Sequence, residues 1–103
     1  MIPPGYQLLA EATLYPESPI KGTSPDGGLN CRFTRNAHDA WEQGWECGLR
    51  ANGEEMGLGE TRRVAIVFYF ENAIAEAKKL KPGDKIFFVR GQPIGEAIVV
   101  ATP

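Results

Sequence analysis

Cysteine and histidine are scarce in this chain: it has two cysteines, Cys31 and Cys47, and one histidine, His38. The cysteines stand too far apart for a CxxC metal or redox motif, and one histidine cannot complete a zinc constellation. So few thiols fit a reducing cytoplasm. No basic segment followed by an apolar one opens the sequence, and no run approaches the roughly 20 apolar residues that cross a bilayer. The expectation is a soluble, cytoplasmic protein with no membrane association. A nucleophile elbow, a phosphate loop and a metal-ligand spacing are also missing. His38 and Asp39 with Glu42 or Cys47 could be imagined as acid, base and nucleophile. They fall in a glycine-rich stretch that gives them no orienting partner, so the sequence predicts no catalytic residue, no metal and no cofactor.

Charge of one sign is lacking as well. Eleven Lys and Arg against thirteen Asp and Glu leave a net charge of −2, which excludes binding to a polyanion by bulk electrostatics and leaves room only for a local basic groove. Arg32, Arg35, Arg50, Arg62 and Arg63 fall on predicted strands or their margins. Asp39, Glu42, Glu46, Glu54, Glu55 and Glu60 crowd the central segment.

What is present reads as one domain over residues 1–103, large enough for a single core. Residues 1–6 form a loose N-terminus, since Pro3, Pro4 and Gly5 disfavour regular structure. Gln7 to Tyr15 alternates Leu8, Ala10, Ala12 and Leu14 against Leu9, Glu11 and Thr13, the pattern of a half-buried first strand. Pro16 to Gly28 turns to Pro, Ser, Gly and Asp and ends in Pro25-Asp26-Gly27-Gly28. Leu29 to Arg35 is the second strand, expected to pair with the first as a long hairpin.

Residues 36–60 mix Trp41 and Trp45 with five glycines, Gly44, Gly48, Gly53, Gly57 and Gly59. Two readings stand open, a loop and an extended ribbon. A connection of this length in a small domain calls for a binding role or structure of its own.

Arg63 to Phe70 is dense in Val, Ile, Phe and Tyr and predicts a third strand. Val64, Ile66 and Phe68 share the core parity, while Arg63, Ala65, Val67 and Tyr69 share the outward one. Phe33, Phe68 and Phe88 read as core, Phe70 as a cover over the barrel mouth, and Phe87 as ambiguous. Tyr6 and Tyr15 stand between rim contacts and packing. Asn72 is a helix-cap candidate, and Ala73, Ile74, Ala77 and Leu80 recur at helical spacing behind it. Lys78, Lys79 and Lys81 suit a helix C-terminus, and Pro82-Gly83-Asp84 stops the helix and turns the chain. Ile86 to Arg90 and Ile94 to Ala101 complete five strands, with Gly95 marking a bulge or bend. An all-β order of five strands with one short helix between strands 3 and 4 is that of the OB-fold, a Greek-key barrel.

The chain also resembles the bacterial single-stranded DNA-binding protein family and its relatives, including primosomal replication protein N. Three blocks carry the resemblance: Ala12-Thr13-Leu14 to Pro19 with Pro25-Asp26-Gly27-Gly28 and Asn30-Cys31-Arg32-Phe33; Arg63 to Tyr69; and Ala73 to Leu80 with Lys81-Pro82-Gly83-Asp84 and Ile86 to Gly91. The family's glycine-rich tail with an acidic tip is absent, and the hairpin between the last two strands is cut to a few residues around Pro93.

The resemblance implies non-catalytic binding of single-stranded DNA, or RNA, in replication, recombination or repair. Aromatic rings would stack on bases and Arg or Lys would meet phosphates. Tyr69 matches a stacking position of the family. Arg63 stands where the family often has a tryptophan, and a guanidinium can itself stack on a base. Trp41 falls near another family tryptophan, with Trp45 as the alternate; each has packing as a loop anchor as its competing reading. Arg32, Arg35, Arg50 and Arg62 complete the implied nucleic-acid-binding set. The family also implies a homo-oligomer, a dimer first, made by pairing the first strand of two subunits along an exposed edge. The rival is an OB-like module that docks another protein, or a subunit of a larger complex without nucleic-acid binding.

Overall fold

The computed structural model describes residues 2–35 and 44–102. They form an all-β structure of six strands and one helix: β1 Leu8–Leu14, β2 Gly28–Thr34, β3 Trp45–Arg50, β4 Thr61–Phe68, α1 Glu71–Ala77, β5 Lys85–Val89 and β6 Pro93–Ala101. The strands close into an antiparallel barrel in the order β1-β4-β3-β2-β5-β6, with β6 returning to β1.

Strict alternation builds the core. Leu8, Ala10, Ala12 and Leu14 of β1 point inward, as do Val64, Ile66 and Phe68 of β4, and all are buried. Phe33 is fully enclosed, with its ring centroid 4.8 Å from Phe68 and 5.5 Å from Trp45. Phe88 is core too. Phe87 faces outward, half-buried, with the Lys85 ammonium 5.7 Å from its ring centre.

The strand count and the pairing differ from the sequence expectation. Trp45–Arg50 is a strand, inserted between β2 and β4, so the barrel has six strands and the helix lies between β4 and β5. Trp45, Cys47 and Leu49 share the core-facing parity there, with Trp45 partly buried and the other two buried. The expected β1–β2 hairpin does not form: β1 pairs with β4 and β6, and β2 with β3 and β5. Closure therefore leaves β1 no free edge for a symmetry mate.

Local chemistry fixes the rest. Gly27 ends the turn before β2 at φ 86°, where an added Cβ would come 2.5 Å from the Glu54 carbonyl oxygen, so only glycine fits. The α1 N-cap is Phe70, not Asn72, and Phe70 is 55% exposed. Asn72 lies inside the first turn, where its Oδ1 accepts a hydrogen bond from its neighbour Ala73 N at 2.8 Å. Ala73, Ala77 and Leu80 still form the buried stripe. After the helix, Lys81 N donates to Asp84 Oδ2 at 2.8 Å, closing the expected turn. The β5–β6 register shifts between Phe88↔Gly95 and Val89↔Pro93, which makes Ile94 the extra residue of a bulge beside Gly95.

Candidate binding face on the outer surface

The outside of β2, β3 and β4 gathers several of the residues expected to bind. Arg63, Ala65 and Val67 alternate outward along β4, with Tyr69 just beyond its end, and Asn30 and Gly48 face out from β2 and β3 as direct cross-strand partners. Tyr69 is 49% exposed and donates its hydroxyl proton to Asn30 Oδ1 at 2.6 Å. The ring can lie there because Gly48 has no side chain: an added Cβ would stand 2.2 Å from the Tyr69 Oη. Partial desolvation first, with Cys47 and Tyr6 nearby, holds the Tyr69 phenol above its ordinary pKa, so it is a neutral donor at physiological pH.

Two hollows flank a ridge made by Tyr6 and Arg50. The first, of about 490 Å³, includes Asn30, Gly48, Val67, Tyr69 and Arg90 in its lining. The second, of about 660 Å³, is more apolar and is lined by Pro3, Leu9, Ala65 and Arg63 among others. Leu9 sits directly opposite Ala65 in the β1–β4 register, which places the apolar floor between strands. The ridge is held from both sides. Arg50 Nε donates to Tyr6 Oη at 3.3 Å, and Arg50 Nη1 contacts Asp26 Oδ2 at 3.1 Å. The Asp26 carboxyl titrates below the usual range because Ser24 and the Gly28 amide donate to it, with Arg50 adding to the effect.

The arginines named from sequence are each engaged with a carboxylate. Arg63 meets Glu11 at 2.9 Å, its cross-strand partner, and Arg62 meets Glu60 at 3.3 Å and Glu54 at 3.7 Å. Arg32 lies 3.6 Å from Glu46, and Arg35 lies 3.7 Å from Glu76 of α1. Arg50 and Arg63 border the hollows; Arg62 has the opposite parity on β4, and Arg32 and Arg35 line neither hollow.

Of the expected residues, Tyr69 and Arg50 meet in the first hollow, and Arg50 and Arg63 in the second. Trp45 packs on Phe33 and on the core, as an anchor would. Trp41 lies outside the described residues, as do His38, Asp39 and Glu42. Sequence reasoning did not name Asn30, Gly48 or Arg90 for this face. Arg90 is the arginine that has no carboxylate in ion-pair reach among the described residues. Its place at the end of a strand was visible, but its isolation from acids was not. Tyr15, one of the two tyrosines left open, is accounted for elsewhere: its hydroxyl donates to Glu96 at 3.0 Å.

Among the described residues no group of three or more His, Cys, Asp or Glu side chains could hold a metal ion, and no helix is long and apolar enough to cross a membrane. Comparison with protein-family models, with curated proteins and with solved structures gives no match.

Proposed function

We propose that this chain is a non-catalytic binding module whose docking face is the outer surface running from Leu9 and Tyr6 across Ala65 and Val67 to Tyr69, and that its partner is another protein. The observation that carries this reading is the pairing of Arg32, Arg35, Arg50, Arg62 and Arg63 with carboxylates. A phosphate approaching any of them meets an acid beside the guanidinium, so the attraction is largely cancelled before contact. The face that remains has an apolar floor with tyrosine and arginine at its border, the residue types that concentrate binding energy in protein interfaces.

The second reading is single-stranded DNA or RNA binding by an OB-fold. It is favoured by one observation, the half-exposed Tyr69 in one hollow with Arg90, which has no carboxylate in ion-pair reach among the described residues. A ring and a guanidinium there could take one base and one phosphate. A closed antiparallel barrel with a single helix is compatible with an OB-fold, and the order β1-β4-β3-β2 is that of a Greek key read in the reverse chain direction. The homodimer and the cytoplasmic location belong to the proposal on the same footing. With β1 paired on both sides, a dimer would form through a sheet face, and sedimentation over a concentration series tests for it.

Titrating labelled oligo-dT with the protein at low and moderate salt, by anisotropy, separates the two readings. The docking reading expects no saturable binding at low salt. Tight binding that falls steeply with salt overturns it in favour of the nucleic-acid reading, because released counterions are the signature of phosphate contacts.

A further inference from the structure

Beneath the floor of the first hollow, β2 and β3 bring together the two cysteines that sequence spacing had set aside. Cys31 and Cys47 are direct cross-strand partners, both buried, with their Sγ atoms 3.8 Å apart and both thiols free. Directly opposed residues of an antiparallel pair have Cα atoms about 4.5 to 5.5 Å apart. A disulfide accepts about 4.4 to 6.8 Å, so the bond needs side-chain rotation and no movement of the strands.

We propose that Cys31 and Cys47 form a site of reversible oxidation, closing to a cross-strand disulfide when a peroxide-class oxidant reaches the barrel. The order of events follows from exposure. Cys31 retains 8% of its surface and Cys47 none, so the Cys31 sulfur attacks the peroxide first. An S–O bond forms, the O–O bond breaks, and the leaving hydroxide takes the thiol proton as water. The Cys47 sulfur then attacks the sulfenic sulfur of Cys31. The S–S bond forms, the S–O bond breaks, and the second hydroxide leaves as water with the Cys47 proton. Two thiols lose one electron each and one peroxide becomes two waters.

The hydrogen bond with Cys31 first, and then burial, pushes the Cys47 thiol well above its ordinary pKa. The Cys47 thiol is therefore protonated at neutral pH, and its attack on the sulfenic sulfur quickens as pH rises. The next pair along the same strands is Asn30 and Gly48, the floor under Tyr69. The bridge would pin that floor whatever the face binds, so the proposal stands apart from the docking reading.

The test is to expose the native protein at low micromolar concentration to hydrogen peroxide, quench in denaturant with an alkylating reagent, and record the intact mass. The expected product is a monomer about 2 Da lighter with neither cysteine alkylated, restored by dithiothreitol, and its peptide map joins Cys31 to Cys47. Its melting temperature stands about 10 °C above that of the reduced protein. A Cys31 sulfinic acid with Cys47 still open to alkylation would overturn the proposal. So would a disulfide between two chains, or a bridged form that melts below the reduced one.

Discussion

Tyr69 occupies the space that Gly48 leaves empty: its hydroxyl reaches Asn30 across β3, and a Cβ on Gly48 would stand 2.2 Å from that hydroxyl oxygen. The exposed ring is thus held by a glycine on one strand and an amide on another. Gly48→Ala is expected to swing Tyr69 off the barrel, since the colliding atom is the far end of a side chain that can rotate. The lost hydrogen bond costs about 1 kcal/mol, read by urea denaturation. Tyr69→Phe loses the same hydrogen bond but keeps the ring packed over Gly48, so it should cost less than Gly48→Ala, which loses both. Equal costs would show that the ring does not depend on the glycine.

Affinity separates the arginines. If the nucleic-acid reading holds, Arg90→Ala should lower the slope of log affinity against log salt by about 1, while Arg63→Ala leaves it nearly unchanged because Glu11 already neutralises that guanidinium. Tyr69→Ala should then cost about 1 to 3 kcal/mol of binding. Under the docking reading, none of these variants binds oligo-dT. An Arg63→Ala slope change as large as that of Arg90→Ala would mean that the Arg63–Glu11 pair opens for phosphate.

Alkaline pH should expose Tyr15. Its phenol is pushed up to about 12, by partial burial first and then by its hydrogen bond to Glu96. The unfolded chain loses this proton near pH 10, its ordinary value, while the folded chain keeps it, so stability is whole below about pH 10 and falls as pH rises through 12. Tyr15→Phe should flatten the decline in urea midpoint between these values. A wild-type midpoint that does not fall there would contradict the raised pKa.

At acid pH the sign reverses for Asp26 and Glu96. Ser24 and Gly28 donate to Asp26, and Lys85 and then Tyr15 to Glu96, and both carboxyls lie below their ordinary values. Their contribution to stability is present above the unfolded values of 3.8 and 4.5 and is lost as pH falls through the lower folded ones. Asp26→Asn should reduce the acid sensitivity of the urea midpoint. It should also loosen the Tyr6–Arg50 ridge, seen as a changed environment of Tyr6 by NMR.

The sequence was most legible where one strand carries its own pattern. In β1 the alternation of Leu8, Ala10, Ala12 and Leu14 against Leu9, Glu11 and Thr13 suffices to place the strand and its faces, and in β4 Val64, Ile66 and Phe68 do the same. The helix was legible through Ala73, Ala77 and Leu80, whose spacing survives the two-residue shift of its cap from Asn72 to Phe70. β3 was hidden because its buried face is only Trp45, Cys47 and Leu49, of which Trp45 also reads as a loop anchor, and because Gly48 reads as a loop residue until Tyr69 is seen above it. Pairing was hidden for a different reason. Which strand lies beside β1 depends on closure of the whole barrel, and no residue of β1 encodes its neighbour. The same holds for the binding face: the outward parity of Arg63 could be read, but its neutralisation by Glu11, 52 positions away, could not.

The core makes the sharpest stability prediction. Phe33 touches both Phe68 of β4 and Trp45 of β3, so one ring ties β2 to the strand that the sequence concealed. Phe33→Ala removes a fully buried aromatic and should cost about 3 to 5 kcal/mol, a large share of the roughly 5 to 15 kcal/mol that holds a small domain together. Phe33→Leu fills much of the space and should cost clearly less. Because Trp45 loses its neighbour in the alanine variant, its emission should shift to the red in the folded baseline as well as through the unfolding transition. An alanine variant with a wild-type urea midpoint and unshifted tryptophan emission would mean that β3 is not anchored through Phe33, and the six-stranded arrangement would lose its main tie.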